Sequence, residues 1–278
     1  MGLRIATNIQ SMAAQRSLAG NKMSQDKSLE RLASGNRINR AADDAAGLAI
    51  SEKLYSNLRS MKQAERNAND GISLIQVAEG GLNEINNMLT RMRELSIQAA
   101  SDTIGDAERG FVDKEVQHLK SELNRIAATT EFNGTKLLNG SVEEALDFQV
   151  GIHNDPTLDR LQFDTKSLMT TLDSLGLTEA ATTSKLQAQE NLGMLDAAMM
   201  RVNENRSSLG ALQNRLNSTV TNLMTYQENL AAAKSRIRDT DMAEEVSTLT
   251  KGNILTQANI STLAQANANA QQALRLLQ

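Results

Sequence analysis

Seven apolar residues, Leu195, Val202, Leu209, Leu216, Leu223, Leu230 and Ile237, recur at every seventh position without a break. A row of this kind defines a long helix with one seam to bury against a partner helix. The stretch 188–237 contains no proline, and its glycines are Gly193 and Gly210. The companion row is mixed: Ala198, Leu212 and Tyr226 alternate with Asn205 and Thr219. That mixture points to packing inside a small bundle rather than to an isolated two-stranded zipper. At ~1.5 Å per residue, a helix of about fifty residues is ~75 Å long and needs a partner of similar length.

The first half of the chain supplies that partner. From Ala45 onward Leu54, Met61, Ala68, Ile75, Leu82 and Leu89 repeat by seven, beside a second row of Ala64, Ala78, Ile85 and Met92. Asp43 or Asp44 is placed to cap this helix, which runs to about Ser101. Gly71, Gly80 and Gly81 interrupt it without proline and mark a close helix approach or a slight bend. After a turn at 102–106, Val112, Val116, Leu119, Leu123 and Ile126 predict a shorter third helix. Asn133-Gly134 and Asn139-Gly140 are turn signals. Leu146, Phe148, Val150 and Ile152, then Leu161 and Phe163, alternate with polar residues and predict a β-hairpin over 144–166, with its tip at 153–157. Residues 168–183 read as irregular.

Both ends of the chain are helical in pattern but thin in apolar bulk. Over 4–33, Ile5, Ile9 and Met12 share one face, and Ser34-Gly35-Asn36 stops the helix. Residues 238–241 break the long seam. The tail then carries Met242, Val246, Leu249, Ile260, Leu263, Leu274 and Leu277 on a rough heptad. Helices with so narrow a stripe depend on packing for stability. The two ends are therefore expected to pair with each other and to be partly disordered until they find a partner. The fold class is mainly α: long antiparallel heptad helices in a bundle with a small β-hairpin, plus a coaxial pair of terminal helices.

Composition removes several functions. A net charge of −4 gives no electrostatic reason to expect nucleic acid. No apolar run approaches the ~20 residues of a membrane span, and the N-terminus lacks a signal-peptide core. The chain has no cysteine, which removes disulfides, thiolate metal sites and cysteine nucleophiles. His118 and His153 read as exposed spectators. The acidic pairs Asp43-Asp44, Glu143-Glu144 and Glu244-Glu245 each sit near a helix start or a turn, where capping explains them. No phosphate loop, zinc-protease motif or nucleophile elbow is present. The expectation is no catalytic, cofactor or metal residue and no enzyme activity.

Four strings carry a family resemblance. Arg31-Leu-Ala-Ser-Gly-Asn-Arg-Ile-Asn-Arg-Ala-Ala-Asp-Asp-Ala-Ala-Gly-Leu-Ala-Ile-Ser51 resembles the signature of bacterial flagellin. So do Asn69-Asp-Gly-Ile-Ser-Leu-Ile-Gln-Val-Ala-Glu-Gly-Gly-Leu82, Glu131-Phe-Asn-Gly-Thr-Lys-Leu-Leu-Asn-Gly140 and Ser235-Arg-Ile-Arg-Asp-Thr-Asp-Met-Ala-Glu-Glu245. The likeness covers nearly the whole chain in the family's order. It implies an inner domain of terminal helices over 1–33 and 239–278, a connecting spoke over 34–44 and a helical bundle over 45–238. Only residues 139–183 separate the long helices, so the chain resembles a short flagellin without variable outer domains.

The resemblance also implies a mechanism and partners. The subunit is expected to leave the cell unfolded through the flagellar export apparatus, with a chaperone on its C-terminal segment. It would then polymerise with its own copies, head to tail, beneath a cap protein and onto hook-junction proteins. The implied location is the extracellular filament, with a periplasmic or sheathed filament left open, and with no membrane insertion. Leu89-Thr-Arg-Met-Arg-Glu-Leu-Ser-Ile-Gln98 is similar to the segment by which many flagellins engage host Toll-like receptor 5, with Arg91, Leu95 and Glu115 at matching positions. Core packing comes first for this segment, and receptor recognition is a second use. Leu274, Leu276 and Leu277 similarly resemble the region sensed by cytosolic receptors. Two other classes stay open on residues alone: a hook–filament junction protein and a secreted coiled-coil adaptor.

Overall fold

The computed structural model describes residues 7–141 and 145–275, with Ala270, Gln271 and residues 273–275 as backbone only. Among the described residues six helices and four short strands follow in chain order: α1 Ile9–Ser34, α2 Ala45–Ala99, α3 Asp106–Thr129, β1 Glu131–Phe132, β2 Thr135–Lys136, β3 Leu146–Gln149, β4 Arg160–Phe163, α4 Leu172–Leu175, α5 Lys185–Arg238 and α6 Met242–Arg275. The chain divides into two compact units, one of residues 1–58 with 228–278 and the other of residues 59–227. Helices α2 and α5 contribute to both.

In the unit of residues 59–227, α2 and α5 run antiparallel. Ile75, Leu82, Ile85, Leu89 and Met92 of α2 meet Leu195, Ala198, Val202, Leu209 and Leu216 of α5 in one core, closed by Val116 and Leu123 of α3. Each large aliphatic side chain buried here contributes roughly 1.5–3 kcal/mol. Polar pairs from α2 and the turn after it to α5 keep the register: Asp102 with Lys185 at 2.7 Å, Arg93 with Asp196 at 2.7 Å, Glu79 with Arg206 at 3.9 Å and Glu65 with Gln227 at 2.8 Å. Each step forward on α2 is a step back on α5.

The buried arginine of this unit, Arg109, caps the end of α2. Its guanidinium donates to the carbonyls of Ala99 and Ser101, at 2.9 and 3.0 Å, and pairs with Asp106. The last carbonyls of a helix lack intrahelical donors, so this side chain satisfies them and sets the turn into α3.

The expected hairpin forms as β3–β4, with Leu146 opposite Phe163 and Gln149 opposite Arg160. Its Phe148 and Phe163 rings are tilted against each other at 6.2 Å. Gly71 admits this hairpin, because a Cβ there would lie 3.2 Å from the Phe148 ring. The close approach at Gly71 is thus to a strand. Two small elements went unread in the sequence. Asn133-Gly134 is a turn, but one that joins the two-residue strands β1 and β2, with both residues at positive φ (49° and 80°). Such a pair suits a tight hairpin. The stretch 168–183, read as irregular, holds the single turn α4, started by the Thr171 side chain and stopped by Gly176 at φ +69°.

The segment after α4 is tied down by α3. Asp113 accepts from the Thr182 N–H at 2.7 Å, Gln117 donates to Ala180 O at 3.2 Å, and the Lys120 ammonium donates to Thr178 O and Ala180 O, both at 2.9 Å. Burial pulls the Lys120 ammonium below the usual lysine range, and Asp113 partly opposes this.

Candidate functional site

Among the described residues no cluster of metal-binding side chains occurs and no helix is long and apolar enough to cross a membrane. His118 and His153 are both exposed, on α3 and in the β3–β4 loop. The surface that stands apart is the pair of terminal helices.

Helix α1 begins with a doubly used asparagine. Asn8 Oδ1 accepts from the Ser11 N–H at 3.0 Å, and its amide donates to Ala266 O on α6 at 3.0 Å. One side chain thus caps one helix and grips the other. Along the pair, Gln25 bonds Asn253, and Arg31 meets Glu245 at 3.4 Å. Helix α6 is capped by Asp241, whose Oδ1 accepts from the N–H groups of Ala243 and Glu244. The helix ends are therefore defined by local chemistry as well as by packing.

What lies between α1 and α6 is small or polar. Ser11, Ala14 and Ser28 are the buried residues of α1, and Ala266 and Glu245 are buried on α6. A shallow groove lined by Gln10, Ala13, Ser17, Asn259, Thr262 and Gln265 follows the contact. Small residues let the two backbones approach closely without filling a core. The apolar bulk faces outward: Ile9 is 63% exposed, Met12 53%, Met23 74% and Ile254 65%. Val246 and Ile260 are also exposed, while Leu249 and Leu263 are half-buried. Ile5, Leu276 and Leu277 lie outside the described residues, as do Glu143, Glu144 and the side chain of Leu274. The buried positions of the pair are Ser11, Ala14, Ser28, Glu245 and Ala266, while the large residues of the stripe are at most half-buried. The signal that could have shown this is the spacing of Ser11, Ala14 and Ser28 on one face of α1.

The connections to this pair are built with equal care. Asn36 and Asp239 form an antiparallel bridge, flanked by Arg37 N–H to Arg238 O at 2.6 Å and Thr240 N–H to Gly35 O at 2.9 Å. Ile38 is buried. Asp43 pairs with Lys27 at 2.6 Å and accepts from the N–H groups of Asn39 and Arg40. The Lys27 ammonium, then the Arg40 N–H, hold the Asp43 carboxyl down at about 2. Asp44 caps α2 by accepting from Gly47 N–H at 2.8 Å. The two adjacent aspartates therefore divide the work, one for the connection and one for the helix.

The heptad positions are not equivalent. Met61, Ile75, Leu82, Leu89, Leu195, Val202, Leu209 and Leu216 are buried, whereas Leu54, Leu223 and Leu230 are half-buried and Tyr226 is exposed. On the α2–α3 face, Arg91 lays Nη2 and Nε on one Glu115 oxygen at 2.8 and 3.0 Å and also meets Glu94 at 3.2 Å. Leu95 is 3% exposed and belongs to the core.

Long helices packed on one another, a small hairpin and terminal helices that pair with apolar side chains outward define a class: a mainly helical structural protein. The bacterial flagellin N-terminal helical region matches residues 5–143, and the bacterial flagellin C-terminal helical region matches residues 192–277. The chain is 44% identical to a flagellin of Halalkalibacterium halodurans over 97% of this chain and 98% of that protein. It is 40% identical to flagellin FlaB2 of Treponema pallidum, again over 97% of this chain and 98% of that one. The crystal structure of Bacillus cereus flagellin superposes with a TM-score of 0.51 at 29% identity, covering 61% of this chain and 94% of that one. The chain belongs to the bacterial flagellin family. It is a structural subunit of the flagellar filament and not an enzyme.

Proposed function

We propose that the paired terminal helices are the polymerisation element of this subunit. The observation that carries the reading is the outward stripe of Ile9, Met12, Met23 and Ile254 on helices that already have a partner in their own chain. Large apolar side chains left in water after intrachain pairing is complete favour burial against further copies. A contact that joins unlike patches without closing makes a helical filament. In this reading residues 1–33 and 239–278 form the inner part of the filament, 34–44 its connection, and 45–238 the helical bundle.

The same reading takes in the stages before and after assembly. The chain leaves the cell unfolded, with an export chaperone on its C-terminal segment, and folds as it joins the distal end beneath a cap protein. Hook-junction proteins begin the polymer, and the filament stands outside the cell. The absence of cysteine suits a chain that must stay unfolded in transit. A host receptor that reads the Arg91 face would touch the Arg91–Glu115 pair, since Leu95 is turned into the core. A Toll-like receptor 5 reporter assay with Arg91→Ala subunit tests that use, and full retained signalling removes it.

Seeded polymerisation, followed by negative-stain electron microscopy, tests the main proposal. The full chain forms long tubes, and a chain lacking 1–33 and 239–278 stays soluble. Tubes of equal yield from both would contradict the assignment.

A further inference from the structure

The outward stripe of α1 contains two methionines. Met12 is 53% exposed and Met23 is 74% exposed. They are eleven residues apart, which is about three helical turns, so they sit within about 20° of each other around the axis and ~16 Å apart along it. Ile9 lies beside them, and Gly20, between them, has no neighbour within 4 Å of the place a Cβ would occupy. The two thioethers are thus open to solvent on the face that the assembly reading gives to a second copy.

Methionine is the readily oxidised side chain of this protein. There are twelve methionines, no cysteine and no tryptophan. Two-electron oxidants such as hydrogen peroxide attack an exposed thioether. The sulfur lone pair takes the terminal oxygen, the S–O bond forms as the O–O bond breaks, and the peroxide is reduced to water. The product is a sulfoxide, a polar group with a strong acceptor oxygen. Buried against a neighbouring helix without a donor, such an oxygen costs free energy that the thioether did not. Within the same chain Met61 and Met92 are 5% and 0% exposed, so the packed core screens them from the reagent, whereas Met200, Met224 and Met242 are also exposed but lie outside the α1 stripe.

We propose that Met12 and Met23 form an oxidation-sensitive patch, whose conversion to sulfoxide by peroxide stops the free subunit from joining a polymer. The inference rests on the assembly reading above. Once polymerised, the subunits bury the patch, so the sensitivity belongs to the free subunit and is lost in the filament.

The test compares the full chain with Met12→Leu/Met23→Leu, each treated with hydrogen peroxide. Sulfoxide at each methionine is read by peptide mass spectrometry, and incorporation onto seeds is read by sedimentation. Treated wild type is expected to lose incorporation by about tenfold, with sulfoxide at 12 and 23 and little at 61 and 92. The double variant is read against itself untreated and loses no incorporation on treatment, whatever its untreated level, and methionine sulfoxide reductase restores the wild type, a control that needs no substitution. Wild type that carries sulfoxide at both positions yet polymerises normally overturns the proposal. So does a double variant that loses as much as wild type, because the lesion then lies at another methionine. Untreated wild type that never polymerises refutes the assembly reading itself and this inference with it.

Discussion

Asn36 and Asp239 stand opposite each other in an antiparallel bridge, one just past the end of α1 and the other just before the start of α6. This contact brings the two connections side by side, and Arg37 extends it by donating its guanidinium to Ile237 O at 2.8 Å. Two chain ends that are remote in sequence thereby leave the same place, and α1 and α6 can lie against each other along their lengths.

The connection is sensitive to acid through Asp43. Its carboxyl is held at about 2 by Lys27 and the Arg40 N–H, against the usual 3.8. A depressed carboxyl contributes its stability above the ordinary value and loses it as pH falls through the folded one. Protection against amide exchange over residues 36–44, taken relative to the intrinsic rate, is therefore expected to fall between pH 3.8 and about 2. Asp43→Asn should show fast exchange throughout and no step in this window. A step of equal size in the variant would place the titration elsewhere.

Two adjacent glycines in α2 should respond in opposite directions. At Gly81 a Cβ would lie 2.8 Å from both Leu138 Cδ1 and Thr130 Oγ1, and Leu138 is fully buried. Gly81→Ala is expected to destabilise by about 1–3 kcal/mol, as overpacking does. Gly80 has open space at the same distance, so Gly80→Ala should gain up to ~1 kcal/mol of helix propensity. Thermal denaturation of both variants reads the difference, and equal shifts would contradict the packing described.

The heptad row of α5 was legible from periodicity alone, because an apolar residue at every seventh position from Leu195 to Ile237 requires a long helix with one buried seam. Its unequal burial was not legible. Leu209 and Leu223 occupy the same register position, yet Leu209 joins the buried core that also holds residues of α2, α3 and the hairpin, while Leu223 is half-buried. Pairing of the chain ends was legible from their thin stripes, whereas its use of Ser11, Ala14 and Ala266 was not, since small residues look alike in loops, cores and helix contacts. The strands β1 and β2 are two residues each, too short for any alternation to register.

Along that row the energetic order follows burial. Leu209→Ala is expected to cost the isolated chain about 2–5 kcal/mol. Leu230→Ala, at a half-buried position, should cost less than half as much. Chemical denaturation of the two variants decides the matter, and a Leu230→Ala cost equal to that of Leu209→Ala would refute the ordering.

Lys120 tests how the segment before α5 is held. Lys120→Met keeps most of the side-chain volume but leaves Thr178 O and Ala180 O without the ammonium that serves them at 2.9 Å. Ala180 O keeps its bond from Gln117 and Thr178 is exposed, so the expected loss is about 1.5–3 kcal/mol, the worth of hydrogen bonds to a charged group rather than of stranded acceptors. Amide exchange at 178–182 should quicken more than exchange in α3, and uniform quickening would argue for a global effect.

The central claim is that apolar side chains turned outward on the paired terminal helices drive assembly. The most direct measurement is seeded polymerisation of Ile9→Ser/Ile254→Ser/Ile260→Ser, three exposed positions whose change leaves the Ser11, Ala14 and Ala266 contact in place. The account predicts a subunit with unchanged helical circular dichroism that does not join seeds at concentrations where wild type forms tubes. Tubes of normal yield from the triple variant would contradict it.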